Sequence, residues 1–410
     1  MMDKGFIFSQ FRSVARLKGA LALCLVLCAL SVRASAQEPK ITTFDAPSAG
    51  TGPAFITPQG FFYPQGTYAY GINDKGEIGG NFQDANNVLH GFLRTADGTV
   101  TAFDAPGAGT GGGQGTQGFA INSEGAIVGK TIDASYVQHG MLRTRDGAII
   151  VFDAPGAGAG VTQGTFATNI NSEGVIAGSY VDAKNVSHGF LRTPNSEFTT
   201  IDAPGAGTFP GQGTGVCAVD CINSEGAIVG FYTDPNNVPH GFLRSPAGDF
   251  TRIDVPGAGT GAFQGTGASG INTEGALVGG YTDASNVNHG FVRSPAGDFT
   301  PFDVPGDGTA SNQGPLISGF AGINAQGVIT GGYVDANNVN HGFVRTRDGE
   351  ITTFDAPGAG TFQGTSPLGI NSKGAITGYY IDANIVGHGF LRTVRPCAED
   401  SQDRRENCEE

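Results

Sequence analysis

Between residues 265 and 305 the apolar positions fall in four short runs, separated by polar and Gly-rich turns. A first strand is predicted to end at Ile271, before the turn Asn272-Thr273-Glu274-Gly275. Asn opens turns well, and Gly supplies a positive φ at no steric cost. Ala276 to Tyr281 reads as a second strand, and the polar stretch Thr282 to Asn288 as a loop. His289 to Arg293 reads as a third strand and Phe299 to Asp303 as a fourth. Pro305, which cannot donate to a ladder, ends it. In the third strand the neighbours Phe291 and Val292 are both apolar, where a sheet with one wet face would alternate. The sheet is therefore expected to be covered on both sides.

This unit is one of seven. Each of the seven His residues (His90, His139, His188, His240, His289, His341 and His388) opens a His-Gly-(Phe/Met)-(Leu/Val)-Arg segment. Each lies 17 residues after the Asn of an Ile-Asn-x-x-Gly segment: Asn73, Asn122, Asn171, Asn223, Asn272, Asn324 and Asn371. A period near 50 with fixed internal spacings means one supersecondary unit copied seven times. The last copy stops after Arg392 without a fourth strand, while Ile41 to Pro47 matches Ile351 to Pro357 nearly residue for residue. The expected fold is all-β: a seven-bladed β-propeller closed by an N-terminal strand that completes the last blade. That clasp would pair both edge strands. A stacked solenoid would not need it and ranks second.

The Ile-Asn-x-x-Gly-x-(Ile/Leu)-x-Gly and His-Gly-Phe-Leu-Arg segments resemble the extracellular repeat family named for its His-Ala-Phe triplet (HAF-type repeats). Here Gly stands for Ala in every copy, and the resemblance covers nearly all of residues 41–393. It implies export and repetition, and brings no catalytic residues with it.

Composition agrees with a turn-dense β protein. Of 410 residues 68 are Gly and 21 Pro, only 15% are charged, and 28 are Phe. Collagen would need Gly at every third position, and a disordered chain would not carry this much Phe. Residues 1–36 read as a secretory signal: a basic start, an apolar Gly19 to Val32, and Ala34-Ser35-Ala36 as cleavage site, so that the mature chain begins at Gln37. Residues 37–393 are then the repeats and 394–410 an acidic tail. No stretch after the signal is apolar enough to span a membrane, and the expected location is secreted, periplasmic or cell-surface. The mature chain has 18 basic and 36 acidic residues, a balance that argues against nucleic acid as a partner. It retains Cys217, Cys221, Cys397 and Cys408, which allow three pairings. Local pairs are the favoured pairing, with free thiols as the alternative.

Candidate chemistry is sparse. From Pro to the next Asn the repeat connections span 26, 16, 16, 19, 16, 19 and 14 residues, all length variation being ascribed to these loops on one face. Such a face suits binding. The first connection holds Phe55, Phe61, Phe62, Tyr63, Tyr68 and Tyr70, aromatics that could stack on sugar rings, anchor a protein, or pack inward. An Asp precedes each His by six residues (Asp84, Asp133, Asp182, Asp234, Asp283, Asp335 and Asp382). Loop capping is the favoured role, with calcium as the weaker one and no other cofactor expected. The repeated Arg of the third strand and Asp of the fourth are expected to form blade-to-blade ion pairs. No nucleophile elbow, phosphate loop or zincin helix is present. The expected function is a monomeric, non-catalytic binding module for a glycan, a cell-envelope component or a protein. A polysaccharide lyase or glycosidase working in the channel, and a purely structural surface protein, are the competing classes.

Overall fold

The computed structural model describes residues 39–52, 54–56, 62–217, 220–317, 321–361 and 364–394, with Phe55, Phe62 and Tyr63 described by their backbone. The signal with Ala36 and Gln37, Phe61, and the tail with Cys397 and Cys408 lie outside these residues.

Among the described residues every regular element is a β-strand. Ile41–Thr393 forms one compact unit. In the fifth repeat Gly265–Ile271, Leu277–Thr282, Asn288–Arg293 and Phe299–Phe302 pair antiparallel in chain order. The turn Asn272-Gly275 closes through Gly275 N–H to Asn272 O, and Gly275 has φ +83°, as its place in the turn demands. The second strand is buried on both faces, and Phe291 of the third is fully buried. The equivalent Phe92, Met141, Phe190, Phe242, Phe343 and Phe390 are fully buried in their own repeats. Apolar residues on both faces are thus matched by cover on both faces.

In the seventh repeat only Thr365–Ile370, Ile376–Ile381 and Gly387–Thr393 come from the C-terminal end. Lys40–Phe44 pairs with Gly387–Thr393, in the place of a fourth strand. Asp45 binds His388 Nδ1 at 2.9 Å, as Asp104 binds His90 at 2.8 Å within the first repeat.

The Asn at the end of each first strand links the repeats. Asn73 Oδ1 accepts the N–H groups of Lys75 and Glu77, while its Nδ2 donates to Asn122 O at 3.1 Å. Asn122 donates likewise to Asn171, Asn171 to Asn223, Asn223 to Asn272, Asn272 to Asn324, and Asn324 to Asn371. Asn371 Nδ2 donates to Asn73 O at 3.0 Å, 298 positions away in sequence, and returns the series to its start.

Two expectations are corrected. First, the length variation does not all lie in the connections. Cys217 to Cys221 interrupts a first strand after Gly213–Val216, and residues 317–321 separate Gly314–Leu316 from Gly322–Ile323. In both repeats the extra residues fall between the conserved Gln-Gly start of the strand and its terminal Asn. Second, the repeated Arg and Asp do not pair. Each fourth-strand Asp binds the His of its own repeat, whereas Arg94, Arg143, Arg192, Arg345 and Arg392 stack on the Phe that ends the preceding fourth strand. The guanidinium carbon lies 5.2 Å from the Phe103 ring centre for Arg143, 4.7 Å from Phe152 for Arg192, 5.1 Å from Phe302 for Arg345 and 5.0 Å from Phe354 for Arg392. The planar cation keeps its charge against a π-face where a carboxylate would have to be desolvated.

Candidate functional site

The loop between second and third strands is built on its Asp. Asp234 Oδ1 accepts the N–H groups of Asn236 at 2.8 Å and Val238 at 2.9 Å. The same two bonds recur at Asp84, Asp133, Asp182, Asp283, Asp335 and Asp382. Burial pushes the Asp234 carboxyl upward, but these backbone donors outweigh it and hold it below the usual carboxylate range. The other oxygen faces His240 Nε2 at 3.7 Å, and His240 Nδ1 lies 2.7 Å from Asp254. The His240 ring packs against Tyr232 with centroids 5.1 Å apart and planes tilted by 37°. No group of three or more His, Cys, Asp or Glu side chains able to hold a metal is found among the described residues.

The fourth repeat adds to this pattern. Arg252 replaces the uncharged residues found at this point of the other repeats. Its Nε donates to Asp254 at 2.5 Å, and its Nη2 lies 3.0 Å from His240 Nδ1. Beside them opens a pocket of about 540 Å³, lined on its apolar side by Val238, Val255 and Pro256 and on its polar side by Asp234, His240 and Arg252. Gly259 and Thr260 of the following connection also line it. That connection carries Phe263, 80% exposed, and the preceding one carries Phe209, 65% exposed. Phe263 holds a left-handed φ of +64° while its N–H donates to Asn237 O. A non-Gly residue is uncommon there and costs energy to hold.

A residue type that sequence reasoning passed over fastens this face. Gln212 Nε2 donates to Asn237 Oδ1 at 3.0 Å, and Gln65, Gln163, Gln264 and Gln313 make the equivalent bond. Its signal was the Gln-Gly that precedes each first strand.

The predicted aromatic cluster divides. Tyr68 and Tyr70 lie in the strand Gly66–Ile72, not in a loop. Tyr68 Oη donates to Pro64 O at 2.7 Å, its ring meets Tyr379 edge-on at 5.0 Å, and burial pushes its hydroxyl strongly upward. Tyr70 meets Phe119 edge-on at 5.4 Å. Phe55–Ile56 and Phe62–Tyr63 form a separate two-stranded ribbon.

Tyr70 and Phe119 also line a second, smaller cavity of about 70 Å³ between first strands, with Ile72, Ile121, Ile170 and Asp220. Asp220 belongs to the segment closed by the Cys217–Cys221 disulfide. It holds φ +49°, its Oδ2 is shut from solvent without a partner among the described residues, and burial pushes its carboxyl up to about 7.

No protein-family profile and no curated relative matches the chain. Among solved structures, it is similar to the BP39L lectin from Burkholderia pseudomallei, with a TM-score of 0.48 and 9% identity over 79% of this chain and 94% of that one. It is also similar to AofleA from Arthrobotrys oligospora, with a TM-score of 0.43 and 11% identity over 79% of this chain and 94% of that one. Puromycin hydrolase is similar at a TM-score of 0.48 and 12% identity, over 82% of this chain and 52% of the enzyme, about half its length. At these TM-scores the likenesses bear on neither ligand nor activity.

Proposed function

We propose that the chain is an exported, closed seven-bladed β-propeller of the HAF-repeat type that acts, without catalysis, as a binding module for a glycan. Each repeat is one blade, and Lys40–Phe44 serves as the outer strand of the last. The hydrogen-bonded return from Asn371 to Asn73 and the pairing of Lys40–Phe44 with Gly387–Thr393 support this arrangement. The Cys217–Cys221 disulfide suits an exported protein, and no helix among the described residues is long and apolar enough to cross a membrane.

The observation that carries the function is the fourth-repeat pocket, together with Phe209 and Phe263 exposed on the connections that precede and follow that repeat in sequence. Sugars present apolar C–H faces and a rim of hydroxyls. Exposed Phe rings meet the first, and the convergent His240, Asp234 and Arg252 meet the second. A lyase or glycosidase would need free carboxylates confined to one or two repeats. Here the His–Asp pairs recur in all seven, and Arg252 is engaged by Asp254, which favours binding over reaction.

A glycan array tests the reading. The wild type is expected to bind a defined set of glycans, with at least a tenfold loss in Phe263→Ala and in Arg252→Ala. Binding that neither substitution weakens, or hydrolysis of the bound glycan, would overturn it.

A further inference from the structure

The three-residue insertion in the fourth repeat has placed a carboxyl group where the other first strands have none. Asp220 O accepts the N–H of Ile271 at 2.9 Å, and Asn169 Nδ2 donates to Cys217 O at 3.4 Å, so the inserted segment is tied to the repeats on both sides. The Asp220 carboxyl reaches on towards Gly322 of the sixth repeat, where an added methyl group would stand 2.9 Å from Oδ2. Oδ2 is buried and has no hydrogen-bond partner among the described residues, while the backbone N–H of Ile323 donates to the same carboxyl group. Asp220 lines a cavity together with Ile72, Ile121, Ile170, the aromatic pair Tyr70 and Phe119, and Asn169, whose amide is already engaged by Cys217 O and Cys221 N–H. A buried carboxylate without a counter-charge is costly, and the lining offers no fixed cation to supply one.

We infer that this cavity is a site for one small monovalent cation, an alkali or ammonium ion, held by the Asp220 carboxylate. One negative charge is balanced by one positive charge. Calcium would bring a second positive charge that the one carboxylate of this lining does not balance. The aromatic rings add a favourable surface for a weakly hydrated cation. A cavity of about 70 Å³ accepts an ion of that size. The site is independent of the glycan face, since no residue is shared between the two cavities.

Calorimetric melting of the full chain tests it, with choline chloride as the reference salt at about 0.15 M ionic strength. At about pH 8.5, where a carboxyl raised this far is ionised, replacing choline by sodium, potassium or ammonium is expected to raise Tm by about 2–3 °C for at least one ion. The ion that does so identifies the source. At about pH 5.5 the carboxyl carries its own proton and the gain disappears. Asp220→Asn is expected to melt at one temperature in all four salts. Equal melting of the wild type in all four salts at the higher pH overturns the proposal, as does an undiminished gain at the lower pH or in Asp220→Asn. The comparison of the two pH values in the wild type decides the matter if Asp220→Asn does not fold.

Discussion

The guanidinium carbon of Arg94 lies 4.8 Å from the ring centre of Phe44, although 50 residues separate them and Phe44 belongs to the strand paired with the last repeat. The ring of Phe44 also covers Gly389, where an added methyl group would stand 2.7 Å from it. Phe44 therefore touches the first and the seventh repeat together. Arg244 and Arg293 follow fourth strands that end in Ile201 and Ile253, and neither stacks on the preceding repeat.

Phe44→Ala is expected to destabilise the chain by about 2–3 kcal/mol, through lost packing and the lost cation–π contact. Ile253→Ala removes a buried side chain but joins no chain ends. Both would be measured by denaturant unfolding. A loss at Phe44 below about 0.5 kcal/mol would show that this strand contributes little to the joint.

The Gly of each His-Gly-Phe segment lies under the last residue of the fourth strand. At Gly290 a methyl group would stand 2.5 Å from the Phe302 ring, but at Gly241 it would stand 3.2 Å from Ile253. Gly290→Ala is expected to cost about 1–3 kcal/mol and Gly241→Ala less, read as the difference in unfolding midpoint. The double substitution Gly290→Ala, Phe302→Leu should recover part of the loss. Equal costs at the two positions would remove the steric explanation of the Gly.

Burial raises the Asp220 carboxyl to about 7, above its ordinary value of 3.8. Between those two values the native state holds a proton that the unfolded state has released. Stability in a choline buffer is therefore expected to fall as pH rises through that window and to level off above it. Asp220→Asn should flatten this part of the profile, measured as Tm against pH. A wild-type profile that rises between pH 4 and 7 with the same slope as the variant would contradict the assignment.

Cys217 and Cys221 close the short segment that carries Asp220. Replacing both by Ser is expected to lower stability by about 2 kcal/mol and to weaken the cation-dependent gain in Tm. Melting with and without reductant gives the same comparison in the wild type.

Asp335 Oδ1 accepts two backbone N–H groups at 2.8 Å each, so Asp335→Ala is expected to cost about 1 kcal/mol as a lost cap. A chelator of divalent ions should leave the wild-type Tm unchanged. A chelator-induced drop would restore calcium as a role for these loops.

Much of this was legible from the order of residues alone. Seven copies, four strands per copy, the Asn-x-x-Gly turn and the capping Asp all follow from local spacing, because turn chemistry and strand period act over a few residues. The kinship of Ile41 to Pro47 with Ile351 to Pro357 was equally plain. The partner of Arg94 was not, since the ring it meets comes from a strand paired with another repeat, and the partner of Asp104 was missed although it lies 14 residues back across a hairpin of the same repeat. A periodic Arg and a periodic Asp fit an ion pair on paper; the stacked rings and the His–Asp bonds fix them apart in space.

Asp220 shows the same division more sharply. The sequence by itself determined that Cys217 to Cys221 breaks the repeat, because the count from Pro204 to Asn223 exceeds that of its neighbours. Only the tertiary structure decided that the extra residues leave the first strand rather than a surface loop, and that their carboxyl enters a cavity lined from other repeats. The physical reason is that burial is a property of several chain segments at once. Each repeat encodes its own strands and turns, but the cavity between first strands exists only once the repeats have packed.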